Sequence, residues 1–530
     1  MKSRAGPGDG CSPHDAAAGG RPQCRSTSGP AVTDASRVPL RALAPEALTA
    51  LEALHGALGP SRPAFLVGGA LRDLLDGEPT ADLDVAVPSG AIAAARALAD
   101  RLDAAFLVLD DVRGTARLVP ASGRRWRGPQ IDVTEFRAPD LEGDLRGRDF
   151  TVNALAISVH DLIVSGEAAV RDPLGGLQDL RARTVRLCAP SAIDDDPARI
   201  LRAAQLAVRP GWRVDASIAE AAIRAVGALD RVSAERIRDE LVGLLRQPAA
   251  GAGLRLLDGW GVLERLVPQR GAMRRTAQPP PHRFDVWEHS VRAVEGADAV
   301  LARAQGVGIL DEGLAAHLDE PLGDGMSRRE TLKLAALLHD VAKPETRTVE
   351  AGRVRFLGHD VLGAERAEAI AARWRLSGRA SATVARLVRH HLRPMHLTQS
   401  AELTPRARHR FFRDLGDEAP DVLLLALCDA AALTGRSPWA VWRAEGSQVI
   451  RQLLAGYAEA AVVAAAPPLL DGHDVMEAFA LGPGPEVGRL LTLVREAQAL
   501  GLVADRAGAL HWLRRQSGPY LDTSRDEPLK

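Results

Sequence analysis

The sequence predicts an α+β protein, a small mixed head followed by an all-helical remainder. Three observations predict it. Between about residues 38 and 165, short apolar runs alternate with stretches of helical period. Beyond about residue 190 the strand signals fade, and apolar residues recur at helical spacing. The chain has 530 residues, whereas one core rarely grows past about 250–300 residues, so several domains are required.

Residues 1–37 are rich in Gly, Pro, Ser and Ala without apolar period and read as disordered. They contain no continuous apolar stretch of the kind a signal peptide needs. A head is expected over residues 38–180, with "FLVGG", "LDVAV", "FLVL" and "QIDVTEF" as short strands. Its helices are "ALRDLLDG" and "AIAAARALADRLDA". A helical neck over 181–272 carries "DPARILRAAQLAV" and "SAERIRDELVGLLRQ". The proline-rich "RTAQPPPHRF" (275–284) reads as a linker opening a second helical block, 273–445, and a helical tail fills 446–530.

Composition narrows the class. Net charge is −1, so nothing global calls for nucleic acid, although a local basic face is allowed. No uncharged apolar stretch reaches about 18 residues, so no membrane span is expected. The four cysteines form no CxxC pair, which suits a reducing cytoplasm.

"FLVGGALRDLLDGEPTADLDVAVP" (65–88) carries the first chemistry. In a strand, residues i and i+2 point the same way, so Asp82 and Asp84 share one face and Leu83 and Val85 the other. Two carboxylates this close repel unless cations sit between them. Mg²⁺, which takes carboxylate oxygens together with substrate phosphates, is the expected ion. Asp132 in "QIDVTEF" is the candidate third acid. Gly68 and Gly69, at a strand-to-helix junction, let backbone N–H groups approach a phosphate. Arg72 and Asp73 follow on the first helical turns, placed to orient the triphosphate. The bland alternative is a solvated Asp-x-Asp on an exposed strand.

The motif resembles the signature of the class II tRNA nucleotidyltransferase and bacterial poly(A) polymerase family, within the polymerase β-like nucleotidyltransferases. "GRDFTVNALA" (147–156), "DPLGGLQDL" (172–180), "DDDPARILRAAQLA" (194–207) and "SAERIRDEL" (233–241) follow in the family's order. The resemblance implies that Arg148, Asp149 and Asn153 contact the incoming nucleotide, and that Asp195, Asp196, Arg199 and Arg202 line the selection of C or A. It implies CTP, ATP and a tRNA 3′ end as partners, with no template strand. Physically, a carboxylate accepts from the amino group of C or A while a guanidinium donates to ring acceptors. At helical spacing Asp195, Asp196 and Arg199 would share a face. Asp196-Pro197 also reads as a helix start, with Asp as the cap. Asp195 stands where the family has Glu. Only ten residues separate "TEFR" from "RDFT". The resemblance places a longer flexible segment there in full CCA-adding members, so CC-only or A-only addition is the alternative.

The second helical block holds His289, His339-Asp340, His359, His390-His391 and Asp429. Imidazoles and carboxylates on separate helices suit one or two divalent ions with a water-derived hydroxide. Their order resembles the HD phosphohydrolase superfamily. That resemblance implies His289, His339, Asp340 and Asp429 as core ligands, with His359 and His390 at a second ion of unspecified identity. Lys343, one turn after the HD pair, is placed either for a phosphate or for solvent. Rival readings are a poly(A) polymerase, an HD phosphohydrolase with a nucleotide- or RNA-binding head, and a non-enzymatic RNA adaptor. Oligomeric state is not legible at this level.

Overall fold

The computed structural model describes residues 36–78, 80, 82–302, 312–399 and 402–517. The expected disordered segment therefore lies, up to residue 35, outside the described residues. The chain forms two compact units. One takes in the described residues up to Leu145 together with Asn153–Pro173, the other Arg146–Val152 and those from Leu174 onward. Part of the "GRDFTVNALA" motif and the end of the expected head thus belong to the helical unit.

In the first unit, helix α1 (Pro45–Leu58) precedes strand β1 (Phe65–Val67), α2 (Gly68–Asp76), β2 (Asp82–Val87), α3 (Ala91–Leu102), β3 (Ala105–Asp110), β4 (Thr115–Val119), β5 (Gln130–Glu135) and β6 (Ala156–Ser158). The six strands form one sheet in the order β3-β4-β5-β2-β1-β6, with β2 and β5 parallel and the other neighbours antiparallel. Leu83, Val85, Val87, Ile131, Val133 and Leu118 are buried on one face of the central strands. Helix α3 packs on β4 and β5. Its buried residues are Ala91, Ala94, Ala95, Leu98 and Ala99, and four alanines among them allow helix and sheet to approach closely. The opposite face is left for Asp82, Asp84 and Asp132.

The expected strands and helices form, with boundaries moved by a few residues. In the sheet β4 and β6 were not expected, nor beside it the antiparallel pair Arg37–Pro39 and Glu167–Ala169. "TARLV" breaks its apolar run with Thr115 and Arg117, yet Ala116 and Leu118 between them are fully buried. This is the period-two pattern of a strand with one wet face.

The second unit is helical, as expected. Its neck contains α4 (Arg199–Ala207), α5 (Ala234–Arg246) and α6 (Ala250–Gly259), which pack on one another. Among the helices that follow are α7 (Val286–Ala302), α8 (Arg328–Leu338), α9 (His359–Arg373), α10 (Gly378–His390) and α11 (Ala419–Thr434). Helix α7 lies against α8 and α11, and α9 against α10. Ser327 and Glu330 start α8 with a reciprocal capping box. One turn on, buried Lys333 is held 2.8 Å from Asp298 on α7 and donates to the carbonyls of Leu245 and Gln247, each at 2.8 Å. A buried ammonium is tolerated only with such partners, so this contact locks α8 to α7 and to the end of α5. The tail builds its own small core from Leu470, Val475, Val487, Leu490, Val494 and neighbours.

Gly68 opens α2 at φ 72°, a left-handed conformation that costs other residues about 1–2 kcal/mol. Gly68→Ala is therefore expected to destabilise the first unit by about that amount, read as an earlier urea transition. An unchanged transition would show that the backbone relaxes without penalty.

Candidate active site and metal centre

Strand alternation in β2 sets the first site. Asp82 and Asp84 project from one face while Leu83 and Val85, each 1% exposed, point into the core. In the register, Asp84 stands between Val67 on β1 and Asp132 on β5. The sheet thus brings Asp82, Asp84 and Asp132 onto one face, as the sequence suggested. Asp132 is also the cross-strand partner of Arg117 on β4. The Arg117 Nε and Nη2 donate to Asp132 Oδ1 and Oδ2, both at 2.8 Å. That bidentate bond, with the charges of Asp82 and Asp84, raises the guanidinium's pKa further. Arg117 is the residue sequence reasoning missed here; the alternation in "TARLV" was the signal.

At the glycine junction, Gly68 needs its positive φ, whereas a Cβ on Gly69 would meet only the Arg72 guanidinium at ordinary contact distance. Arg72 is 6% exposed. It donates to both oxygens of Asp73 at 2.9 Å and to Asn153 Oδ1 at 2.6 Å. Arg72 and Asp73 therefore tie α2 to the turn that carries Asn153, so they hold the junction rather than present a loose cation.

The residues expected to contact the nucleotide and select the base, Asn153 apart, lie in the second unit. Asp149, 7% exposed, accepts from its neighbour Phe150 N and, at 3.1 Å, from Arg202 Nη1. Arg202 also reaches Glu240 on α5, whose Oε2 and carbonyl accept from Gln205. Burial opposes the Arg202 charge, but Glu240 and Asp149 outweigh it and raise its pKa. The expected shared helical face of Asp195, Asp196 and Arg199 does not form. A short helix, Ala192–Asp195, ends there, and Asp196 is extended at φ −148° before Pro197. The pyrrolidine ring bars the preceding residue from helical geometry. Exposed Asp195 turns back to Ser191 Oγ at 3.0 Å. Asp196 accepts from Ala198 N at 3.3 Å and from Arg236 Nη2 at 2.7 Å, but the cap position of α4 falls on Ala198, not on Asp196 as expected. Arg199 Nε lies 3.9 Å from Asp196. Its Nη atoms donate to the carbonyls of Gly147, Arg148 and Ala192. Arg199 thereby fixes the backbone next to the half-buried Arg148.

Five helices build the second cluster. His289 on α7, His339 after α8 and Asp429 on α11 form one group of converging ligand atoms; Asp340, His359 and His391 form another. His390 was expected in the second group and does not join it; His391 does. On α10 the buried stripe runs Val384, Leu387 and Val388, and His391 continues it at i+3 and i+4, whereas His390 is turned about 100° away. The Nδ1–H of His339, His359 and His391 each donates to the carbonyl three residues earlier, at 2.9, 2.6 and 2.6 Å. The Nε2 atoms of these three rings are thereby aimed inward. His289 Nε2 lies 3.3 Å from His339 Nε2 and 2.9 Å from Asp429 Oδ1. His359 Nε2 lies 3.3 Å from His391 Nε2 and 3.4 Å from Asp340 Oδ1. Imidazole nitrogens and carboxylate oxygens converging in two groups make a donor set that fits divalent ions. Burial and the neighbouring His339 push the His391 pKa down to about 4. Burial opposes the Asp340 charge, but His339 and Lys343 hold its pKa well below the usual range. Lys343 Nζ stands 2.6 Å from Asp340 Oδ2 and donates to Gln278 Oε1 at 2.7 Å. The His282 ring meets His289 edge-on at 5.4 Å, and sequence reading did not single it out.

Residues 64–186 match the poly A polymerase head domain, 211–273 the probable RNA and SrmB-binding site of polymerase A, and 286–433 the HD domain. An A-adding tRNA nucleotidyltransferase of Deinococcus radiodurans is 36% identical over 460 residues, spanning 85% of this chain and 95% of its own. The chain belongs to the tRNA nucleotidyltransferase family. A CC-adding member from Thermus thermophilus is 34% identical, over 85% of this chain and 94% of its own. The fold agrees: a CCA-adding enzyme solved with CTP superposes with TM-score 0.58 at 19% identity, over 92% of this chain and all of that one. As a tRNA nucleotidyltransferase family member the chain is an enzyme, with a nucleotidyltransferase head and an HD domain of the metal-dependent type.

His391→Ala is expected to lower the divalent metal retained by the purified protein, measured by plasma mass spectrometry, and His390→Ala to leave it unchanged. Equal losses in both variants would contradict the grouping.

Proposed function

We propose that the enzyme extends the 3′ end of tRNA, transferring C or A from CTP or ATP without a template. The carboxylate face of β2 and β5 beside the Gly68 junction carries this reading. The all-oxygen set of Asp82, Asp84 and Asp132 suits Mg²⁺, which would activate the 3′-hydroxyl and neutralise charge on the leaving oxygens. Asp82 and Asp84 would hold it, with Asp132 as the third acid. The 3′-oxygen bonds to the α-phosphorus as the bond to the β-phosphate bridging oxygen breaks, and pyrophosphate departs. The Gly68 backbone leaves room for the triphosphate, and Arg72 keeps Asn153 in place for the nucleotide. In the second unit, Arg148, Asp149 and Arg202 serve the incoming nucleotide. Arg199, held by the carbonyls of Gly147, Arg148 and Ala192, would act on base choice by fixing the backbone beside Arg148 rather than by donating to a base, with Asp195 and Asp196 in the turn before it.

The chain adds part of the end rather than all of CCA. The segment after Arg137 is short and holds the helix Leu141–Arg146. Asp144 pins it by accepting from Arg137 N at 3.0 Å. Two of the similar family members are likewise described as A-adding and CC-adding. No described helix is long and apolar enough to cross a membrane, and tRNA and nucleoside triphosphates as substrates suit a cytoplasmic setting. The two buried ligand groups favour a second activity, metal-dependent hydrolysis of a phosphate ester, with His289, His339, Asp340, His359, His391 and Asp429 as the ligands.

With tRNAs ending before C, after C and after CC, each offered CTP, ATP or both, product should stop at CC or consist of A on the CC-ended tRNA only. A completed CCA from the shortest tRNA would overturn partial addition, and no product on any tRNA would overturn the transfer itself. Asp84→Ala is expected to cut incorporation by about 100- to 1000-fold or more, with unchanged circular dichroism. Phosphatase activity, tested with a generic monoester and a 2′,3′-cyclic nucleotide, should vanish in Asp340→Ala and persist in Asp84→Ala. Its survival in Asp340→Ala would remove the HD cluster from hydrolysis.

A further inference from the structure

We propose that Arg117 is the resident counter-ion of the carboxylate face, gripping Asp132 until a divalent ion takes it. The inference rests on the assignment of that face to metal binding and goes beyond it. Three carboxylates lie on one face of adjacent strands, with Asp84 and Asp132 in direct register. Such a surface repels itself unless compensated. Arg117 supplies the compensation from the next strand, by two 2.8 Å bonds to Asp132.

The geometry also makes the guanidinium and the ion rivals. A bidentate fork occupies both Asp132 oxygens along the directions a ligand atom would use. The Arg117 side chain is 36% exposed and that of Asp132 19%. An arginine at that depth can leave the carboxylate for solvent or for a phosphate without being stranded as a buried charge. Arg117 is thus a positioning residue: it acts on the ion through Asp132. It keeps the third acid aligned while the site waits, and it weakens the ion's hold so that the site loads together with an anionic triphosphate.

The test is Mn²⁺ binding to the full-length protein, followed by the paramagnetic resonance of free Mn²⁺ and counting only the binding lost in Asp84→Asn. Arg117→Gln is expected to tighten that binding about tenfold. Arg117→Lys, which keeps the charge but not the fork, should tighten it by a smaller factor. In an Asp132→Asn background the Arg117→Gln effect should disappear. Unchanged or weaker binding in Arg117→Gln would overturn the proposal, as would a full effect persisting without the Asp132 carboxylate, since that would be charge alone. If Asp84→Asn removes no Mn²⁺ site at all, the metal assignment of the carboxylate face fails instead. Circular dichroism of each variant excludes misfolding as the cause.

Discussion

Like charges held within a few ångströms of each other must be compensated, and much of this molecule is arranged around that constraint. In the head, period-two alternation makes Asp82 and Asp84 neighbours on a strand face, and parallel pairing with β5 adds Asp132 in register. The sheet tolerates this because β4 places Arg117 opposite Asp132. The buried face beneath, with Leu83, Val85, Ile131 and Val133, holds the register. A slip by one residue would send the acids into the core.

The HD cluster meets the same constraint with different chemistry. Its imidazoles are nitrogen ligands whose orientation is set by the local backbone: in three of them Nδ1–H donates to the carbonyl three residues earlier. That arrangement turns Nε2 toward the centre, where the carboxylates of Asp340 and Asp429 also converge. Asp340 is balanced by Lys343, and Asp429 by His289. The five helices contributing these groups are held by apolar packing and by the buried Lys333–Asp298 pair, remote in sequence from the ligands they position.

Much of the site was legible because its residues obey local periods. Asp82 and Asp84 share a face by strand geometry alone, and Gly68 marked the junction that its positive φ confirms. The misreadings have equally local causes. Arg117 was passed over because its strand is short and half polar. His390 and His391 are adjacent, and only the buried stripe of α10 distinguishes them. Asp195, Asp196 and Arg199 were spaced for one helix, but Pro197 divides that stretch in two, and the Arg199 guanidinium turned to backbone carbonyls.

The sequence by itself determined the α+β class, the order of head and helical blocks, the pairing of Asp82 with Asp84, and the family. These follow from short-range periods and motif order, which the chain carries whatever its partners. Only the tertiary structure decided which cation faces the carboxylates, which of two adjacent histidines turns inward, and which arginines are tied to backbone rather than open to a base. Those outcomes depend on strands and helices far apart in sequence meeting in a particular register. Burial then commits each charge to the partners that the register brings within reach.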